Sequence, residues 1–278
     1  MLRHNIHPEL LTRQVRICLI GAGGTGSIFL SGLARLHLSL KAKGHPGGLA
    51  VDVYDPDTVS ESNIGRQLFY ASDIGLNKAI VLCHRLNMAY GLDFRAFPER
   101  FAENPYSGHD LYVSCVDSRA SRREIHHTLY RRNSSRPVYW LDLGNGVEDG
   151  QVCLGEPLSH FMPTRGKRAN PMRLPTITEF YPDLLDLNIP DDDSMPTCSL
   201  AEALERQSLF ICQEMATRGL TILWNLFSDG GLNYHGQFTN LKSGRTTPLM
   251  IDKALWKRMI PKKPRTKSPG SIEPKQAA

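Results

Sequence analysis

No apolar run in the 278-residue sequence approaches the roughly 18 residues of a membrane-spanning helix, so none is expected. The N-terminal MLRHNIHPELLTRQ has no apolar h-region, so no secretory signal is expected either. The six cysteines (Cys18, Cys83, Cys115, Cys153, Cys198 and Cys212) form no C-x-x-C pair, which argues against a tetrahedral zinc site. Cys18 and Cys115 sit in apolar, strand-like runs, where buried inert thiols are the expectation. Reduced cysteines without an export signal suggest a cytoplasmic protein. A basic body is also missing. The net charge is +5, but residues 257–278 hold seven Lys/Arg and one Glu, so the remainder is close to neutral. No internal repeat is visible.

What is present is a regular alternation. Residues 14–20 read as a buried strand and Thr25–Lys41 as a helix, followed by a Gly/Pro loop at 43–48 and a strand at 49–55. A helix is expected over 75–90, strands over 92–97 and 110–116, a polar basic helix over 118–131, and strands over 137–144 and 150–155. This order predicts a Rossmann-like, doubly wound α/β fold with a mainly parallel sheet. Ligands then bind beyond the carboxyl ends of the strands, where Asp55 and Asp117 fall. Residues 156–197 hold seven prolines and read as a long crossover loop. A helical stretch from Ser199 to about Phe227, broken near Gly219, and a hairpin over 233–251 complete one domain of residues 1–260. The basic tail, 261–278, is expected to be disordered.

Gly21, Gly23 and Gly26, with Gly24 between them, form G-x-G-x-x-G between a strand and a helix, a turn suited to phosphate at a helix N-terminus. Alone, it fits several nucleotide classes. Asp55 lies later than the ribose-binding acid of a dinucleotide fingerprint, and the 42–48 loop can absorb the difference. The segment Asp55 to Gln67 then supplies Asn63, Arg66 and Gln67, and Lys78 follows. A neutral donor, a forked cation and a point charge suit a triphosphate better than a dinucleotide. Asp117 is a candidate Mg²⁺ ligand or a helix N-cap. Ser199 and Glu202 have capping-box spacing, which puts Cys198 just outside a helix N-terminus, where the dipole favours a thiolate.

These motifs resemble the ThiF/MoeB/ubiquitin-activating superfamily. The match comprises the glycine turn, Asp55-x-Asp57 through Asn63, Arg66 and Gln67, Gly75-x-x-Lys78, and Cys115-x-Asp117 with Arg122. Pro196-Thr197-Cys198-Ser199 is similar to the Pro-x-Cys-Thr/Ser thioester motif of ubiquitin-activating members. In detail the chain looks most like the ThiF-family member of plasmid-borne PRTRC cassettes. The resemblance implies ATP·Mg²⁺-dependent adenylation of the C-terminal carboxylate of a ubiquitin-like protein, with thioester capture on Cys198. It assigns ribose to Asp55, phosphates to Asn63, Arg66 and Lys78, and Mg²⁺ to Asp117. It also implies a conjugating-type partner and a homodimer. The chain departs from the family at Arg13-Gln14, which lies at the first strand rather than on a preceding helix, and in lacking zinc-binding C-x-x-C pairs. Four other readings stay open: sulfur-carrier adenylation without a thioester, adenylation of a small-molecule or RNA-linked carboxylate with the tail on nucleic acid, NAD-dependent oxidoreduction, and a non-enzymatic nucleotide-binding scaffold.

Overall fold

The computed structural model describes residues 2–101, 108–131, 138–157, 173–191 and 208–261, so the expectations for Cys198, its capping box and the basic tail lie outside the described residues. In chain order the elements are β1 (His4–Asn5), β2 (Val15–Ile20), α1 (Gly24–Ala42), β3 (Leu49–Tyr54), α2 (Lys78–Tyr90), β4 (Arg95–Phe97), β5 (Leu111–Ser114) and α3 (Arg119–Arg131). There follow β6 (Tyr139–Asn145), β7 (Asp149–Gly155), α4 (Ile177–Phe180), α5 (Ile211–Ser228), β8 (Gly231–Leu232), β9 (Tyr234–Asn240), β10 (Arg245–Met250) and α6 (Lys253–Met259).

The runs VRICLI and LAVDVY become β2 and β3, whose side chains are buried on both faces, as a parallel sheet between layers requires. The main sheet has the order β10-β9-β7-β6-β5-β2-β3-β4. Strands β6, β5, β2, β3 and β4 run parallel, and β7, β9 and β10 add antiparallel on one side. The expected mainly parallel, doubly wound sheet is therefore observed. From β2 the chain winds outward to β3 and β4, then returns to β5 on the other side of β2. That reversal opens a crevice at the carboxyl end of β2, and the glycine turn sits in it.

Where the elements differ from expectation, a side chain explains it. Helix α5 runs unbroken through Gly219, because a Cβ there would come 2.9 Å from Leu143 and Phe29. The glycine is a packing site for the sheet and α1, and tertiary contact overrides its low helix propensity. Helix α2 starts at Lys78 rather than 75, since the Asn77 Oδ1 accepts the Ile80 N–H (3.1 Å) as an N-cap. Strand β4 is shorter than 92–97, because the Asn87 side chain takes both polar backbone groups of Phe94, at 2.9 and 2.8 Å. The small β1–β8 pair and helix α6 were not foreseen.

Beneath the carboxyl ends of the strands, Asp142 on β6 accepts from Ser114 Oγ (2.8 Å) and Arg122 Nε (2.9 Å), and Trp140 Nε1 donates to Ser114 Oγ (2.7 Å). Arg122, part of the family-like motif, thus fixes α3 to the sheet.

One buried group makes stability depend on pH. His235 Nδ1 donates to the Leu154 carbonyl (2.7 Å), while Nε2 is buried without a partner among the described residues. Burial, reinforced by His4 and opposed by the Leu154 carbonyl and Glu156, depresses the imidazole pKa from 6.5 to about 4. The unfolded chain takes the proton first, so acid favours unfolding. The contribution, roughly 3 kcal/mol, is complete above the unfolded pKa and is lost as pH falls from 6.5 toward 4. His235→Asn keeps a donor for Leu154 and cannot titrate. Its melting temperature should fall less steeply than the wild type's between pH 7 and 4.5, and parallel curves would contradict this assignment.

Candidate nucleotide site

The crevice is built around the turn between β2 and α1. Gly21 has φ +90°, and a Cβ on it would lie 2.6 Å from the Cys115 carbonyl oxygen, so only glycine fits there. A Cβ on Gly26 would collide with the Gly21 carbonyl. Gly23 is different. Its φ is −75°, and the nearest atom a Cβ would meet is Gln67 Oε1 at 3.9 Å. The fold does not need glycine at 23 for packing, and its bare Cα faces an open cradle. Gly23 is also the N-cap of the 19-residue α1, and among the described residues no side chain caps that end. The first-turn N–H groups of a long helix, with the positive end of its dipole, therefore point into the cradle. Such a helix end, with room left beside it by a glycine, has the chemistry that suits an anion.

Asp55, at the end of β3, is 4% exposed. Its Oδ2 accepts the Ala22 N–H (2.6 Å) and its Oδ1 the Asp57 N–H (2.9 Å). Burial pushes this carboxyl up, opposed by those two N–H groups. Asp55 thus pins the glycine turn to β3, a task the sequence did not disclose. Each oxygen keeps a second acceptor position for a sugar hydroxyl.

The cations follow. Lys78 is the first residue of α2, and its side chain is only 10% exposed; Nζ lies 3.2 Å from Asp57 Oδ2, whose side chain is 66% exposed. A buried cation at a helix N-terminus opposes both desolvation and the dipole, so this placement calls for an anionic partner. Asn77 sets it: its Nδ2 donates to the carbonyls of Asp55 (2.9 Å) and Asp57 (3.0 Å), binding α2 to the β3 end. Asn77 was missed as a site residue; its N-cap position, just before an apolar helical repeat, was the available signal.

The Asp55–Gln67 segment folds back on itself. Asn63 Oδ1 accepts the Ser60 N–H (3.0 Å), and its carbonyl accepts the N–H groups of Arg66 (3.4 Å) and Gln67 (2.9 Å). The oxygen of Asn63 is thus engaged, and Nδ2 is its donor for a ligand. Arg66 is half-buried in this loop. Gln67 is 9% exposed, and Oε1 is buried without a hydrogen-bond partner among the described residues. A buried amide end beside Gly23, able to present oxygen or, flipped, its N–H₂, suits a polar ligand. Together the uncapped helix, the open Gly23, Lys78 and Gln67 fit a nucleotide triphosphate.

Across the crevice, Asp117 lies exposed in the coil between β5 and α3. The α3 N-terminus itself is taken by Asp191, which accepts the Arg119 N–H (3.0 Å) and pairs with its guanidinium (3.0 Å). Among the described residues, no three His, Cys, Asp or Glu gather as a metal site. An exposed carboxylate such as Asp117 suits Mg²⁺ that is held mainly by phosphate and water. Arg13 is elsewhere: its two terminal guanidinium nitrogens bind Asp110, at 2.7 Å each, beside the amino ends of the parallel strands. Within this chain it does not enter the crevice. Cys198 belongs to residues 192–207, outside the described residues; the flanks are Asp191, bound to Arg119 at the start of α3, and Ser208, whose N–H donates to the Val147 carbonyl (2.7 Å).

A profile of the ThiF family matches residues 9–259. Among curated proteins, the chain is 32% identical over 129 residues to the adenylyltransferase and sulfurtransferase UBA4 of Yarrowia lipolytica, covering 44% of this chain and 30% of that protein. It is 30% identical over 205 residues to the Nedd8-activating enzyme E1 catalytic subunit of Drosophila melanogaster, covering 69% and 40%. The chain thus spans less than half the length of these curated relatives. Among solved structures, E. coli MccB with ATP has a TM-score of 0.56 at 15% identity, covering 85% of this chain and 64% of that one. PaaA has a TM-score of 0.54 at 14% identity with the same coverage. These two show likeness of fold.

Proposed function

Since this chain belongs to the ThiF family, we propose that it is an ATP-dependent adenylyltransferase that activates the C-terminal carboxylate of a ubiquitin-like protein. The observation that carries the reading is the uncapped α1 N-terminus behind an open Gly23, faced by the buried Lys78. A carboxylate oxygen of the substrate attacks the α-phosphorus, the bond from that phosphorus to the bridging oxygen breaks, and pyrophosphate leaves with the electron pair. The first-turn N–H groups of α1, Lys78, Arg66 and Asn63 hold phosphate oxygens and stabilise the charge that grows on pyrophosphate. Asp55 offers its remaining acceptor positions to the ribose. Mg²⁺, held in part by Asp117, supplies further charge neutralisation when bound.

In the second step, the Cys198 thiolate attacks the acyl carbon and AMP leaves, giving a protein thioester. The similarity of Pro196-Thr197-Cys198-Ser199 to the family's thioester motif supports this step. A conjugating-type protein would receive the acyl group, as the PRTRC-like features suggest. Cys198→Ala separates the steps. It should leave ATP–pyrophosphate exchange near the wild-type rate while abolishing a thiol-reducible adduct with the ubiquitin-like substrate. An adduct that survives the substitution would place the thioester elsewhere; exchange with no adduct in the wild type would leave adenylation alone, as in sulfur-carrier activation.

A further inference from the structure

The reading of the glycine turn as an ATP site leaves a second set of polar side chains behind it without a role. Thr25, in the first turn of α1, is 6% exposed. Its Oγ1 donates to Asn145 Oδ1 (3.0 Å), and Asn145 Nδ2 reaches Cys212 Sγ (3.9 Å). Cys212, on the first turn of α5, packs so closely that a Cβ on Gly24 would lie 2.7 Å from its sulfur. Asn145 ends β6, two strands from β2 on the side away from β3. The turn is therefore held from both flanks: Asp55 pulls Ala22 toward β3, and Asn145 holds Thr25 toward β6 and α5.

We propose that Thr25 and Asn145 are positioning residues for ATP, fixing the first turn of α1 so that its N–H groups and the Gly23 cradle keep the geometry that the phosphates require. The inference rests on the ATP-site reading and goes beyond it. The chemistry favours it over a packing role. An apolar pair would fill this space without burying the Thr25 hydroxyl, whereas a hydrogen bond fixes direction as well as distance. The helix end it orients is the one with no capping side chain of its own. A displacement of about 1 Å in such a backbone cradle weakens every phosphate contact at once. Removing either partner also breaks the bond that ties the first turn of α1 to the end of β6.

The test is the equilibrium affinity of the full chain for MgATP, by calorimetry, beside the melting temperature without nucleotide. Asn145→Ala and Thr25→Val should each weaken ATP binding by about tenfold, the loss of one part-buried hydrogen bond. Thr25→Ser retains the hydroxyl and should bind as the wild type does. The double variant should be no weaker than either single one, since both break the same link. If Asn145→Ala does not fold, the Thr25→Val and Thr25→Ser pair decides alone. Variants that lower the melting temperature yet bind ATP with wild-type affinity would overturn the positioning role while leaving the ATP site intact. A wild-type chain that binds no MgATP would overturn the ATP-site reading itself, and this inference with it.

Discussion

Lys78→Ala should lower adenylation, read as ATP–pyrophosphate exchange, by about 10²–10³-fold, the effect of removing one preorganised group from a developing charge. The same substitution should leave thermal stability unchanged or raised. The sign follows from the position. Lys78 opens α2 with its side chain 10% exposed, so the folded chain bears a desolvated cation at the positive end of a helix. Alanine removes both penalties and has the higher helix propensity. The partner left behind, Asp57, is 66% exposed and can be solvated by water. A residue that contributes only to stability gives the opposite pattern, with lower melting temperature and preserved exchange. Melting curves and exchange rates on the same preparation distinguish the two.

The second large effect separates two glycines of one turn. Gly23→Ala should fold with a melting temperature near that of the wild type, because φ is −75° and the new methyl meets nothing closer than 3.9 Å. It should weaken ATP binding by about tenfold or more, since the methyl occupies space that a phosphate needs and blocks approach to the α1 N–H groups. Gly21→Ala should do the reverse of this division. With φ at +90° and the Cys115 carbonyl 2.6 Å from the new Cβ, it destabilises the fold by about 2 kcal/mol or more. Gly21 shapes the turn, and Gly23 is proposed to leave room for the ligand. Equal loss of stability in both variants, or undiminished ATP binding by Gly23→Ala, would contradict that division. Calorimetry with MgATP and thermal melts supply both readings.

Much of this site is local in sequence and was legible there. The order of glycine turn, Asp55, Asn63, Arg66, Gln67 and Lys78 follows one β-α-β path, and the strand that ends at Tyr54 delivers Asp55 to the crevice. What was not legible depends on distant partners. Thr25 and Asn145 are 120 residues apart, and neither has a motif of its own. The pinning of Ala22 by Asp55 bridges 33 residues and appears only when β3 pairs with β2. Gly219 was read from helix propensity as a break, but the side chains of Phe29 and Leu143 decide the outcome. Arg122 is legible as part of a motif, yet its bond to Asp142 makes it a support of the sheet. In each case a local rule was correct about tendency, and a contact remote in sequence determined the result.

The cradle before α1 is proposed to activate a carboxylate with ATP. The most direct measurement is incorporation of labelled pyrophosphate into ATP by the full chain with Mg²⁺. One arm contains a ubiquitin-like protein with a free C-terminus, and the other the same protein with its C-terminal carboxylate amidated. The account predicts exchange with the free carboxylate, none with the amide, and loss of the signal in Lys78→Ala. Exchange that ignores the carboxylate, or none with any ubiquitin-like protein offered, would contradict it.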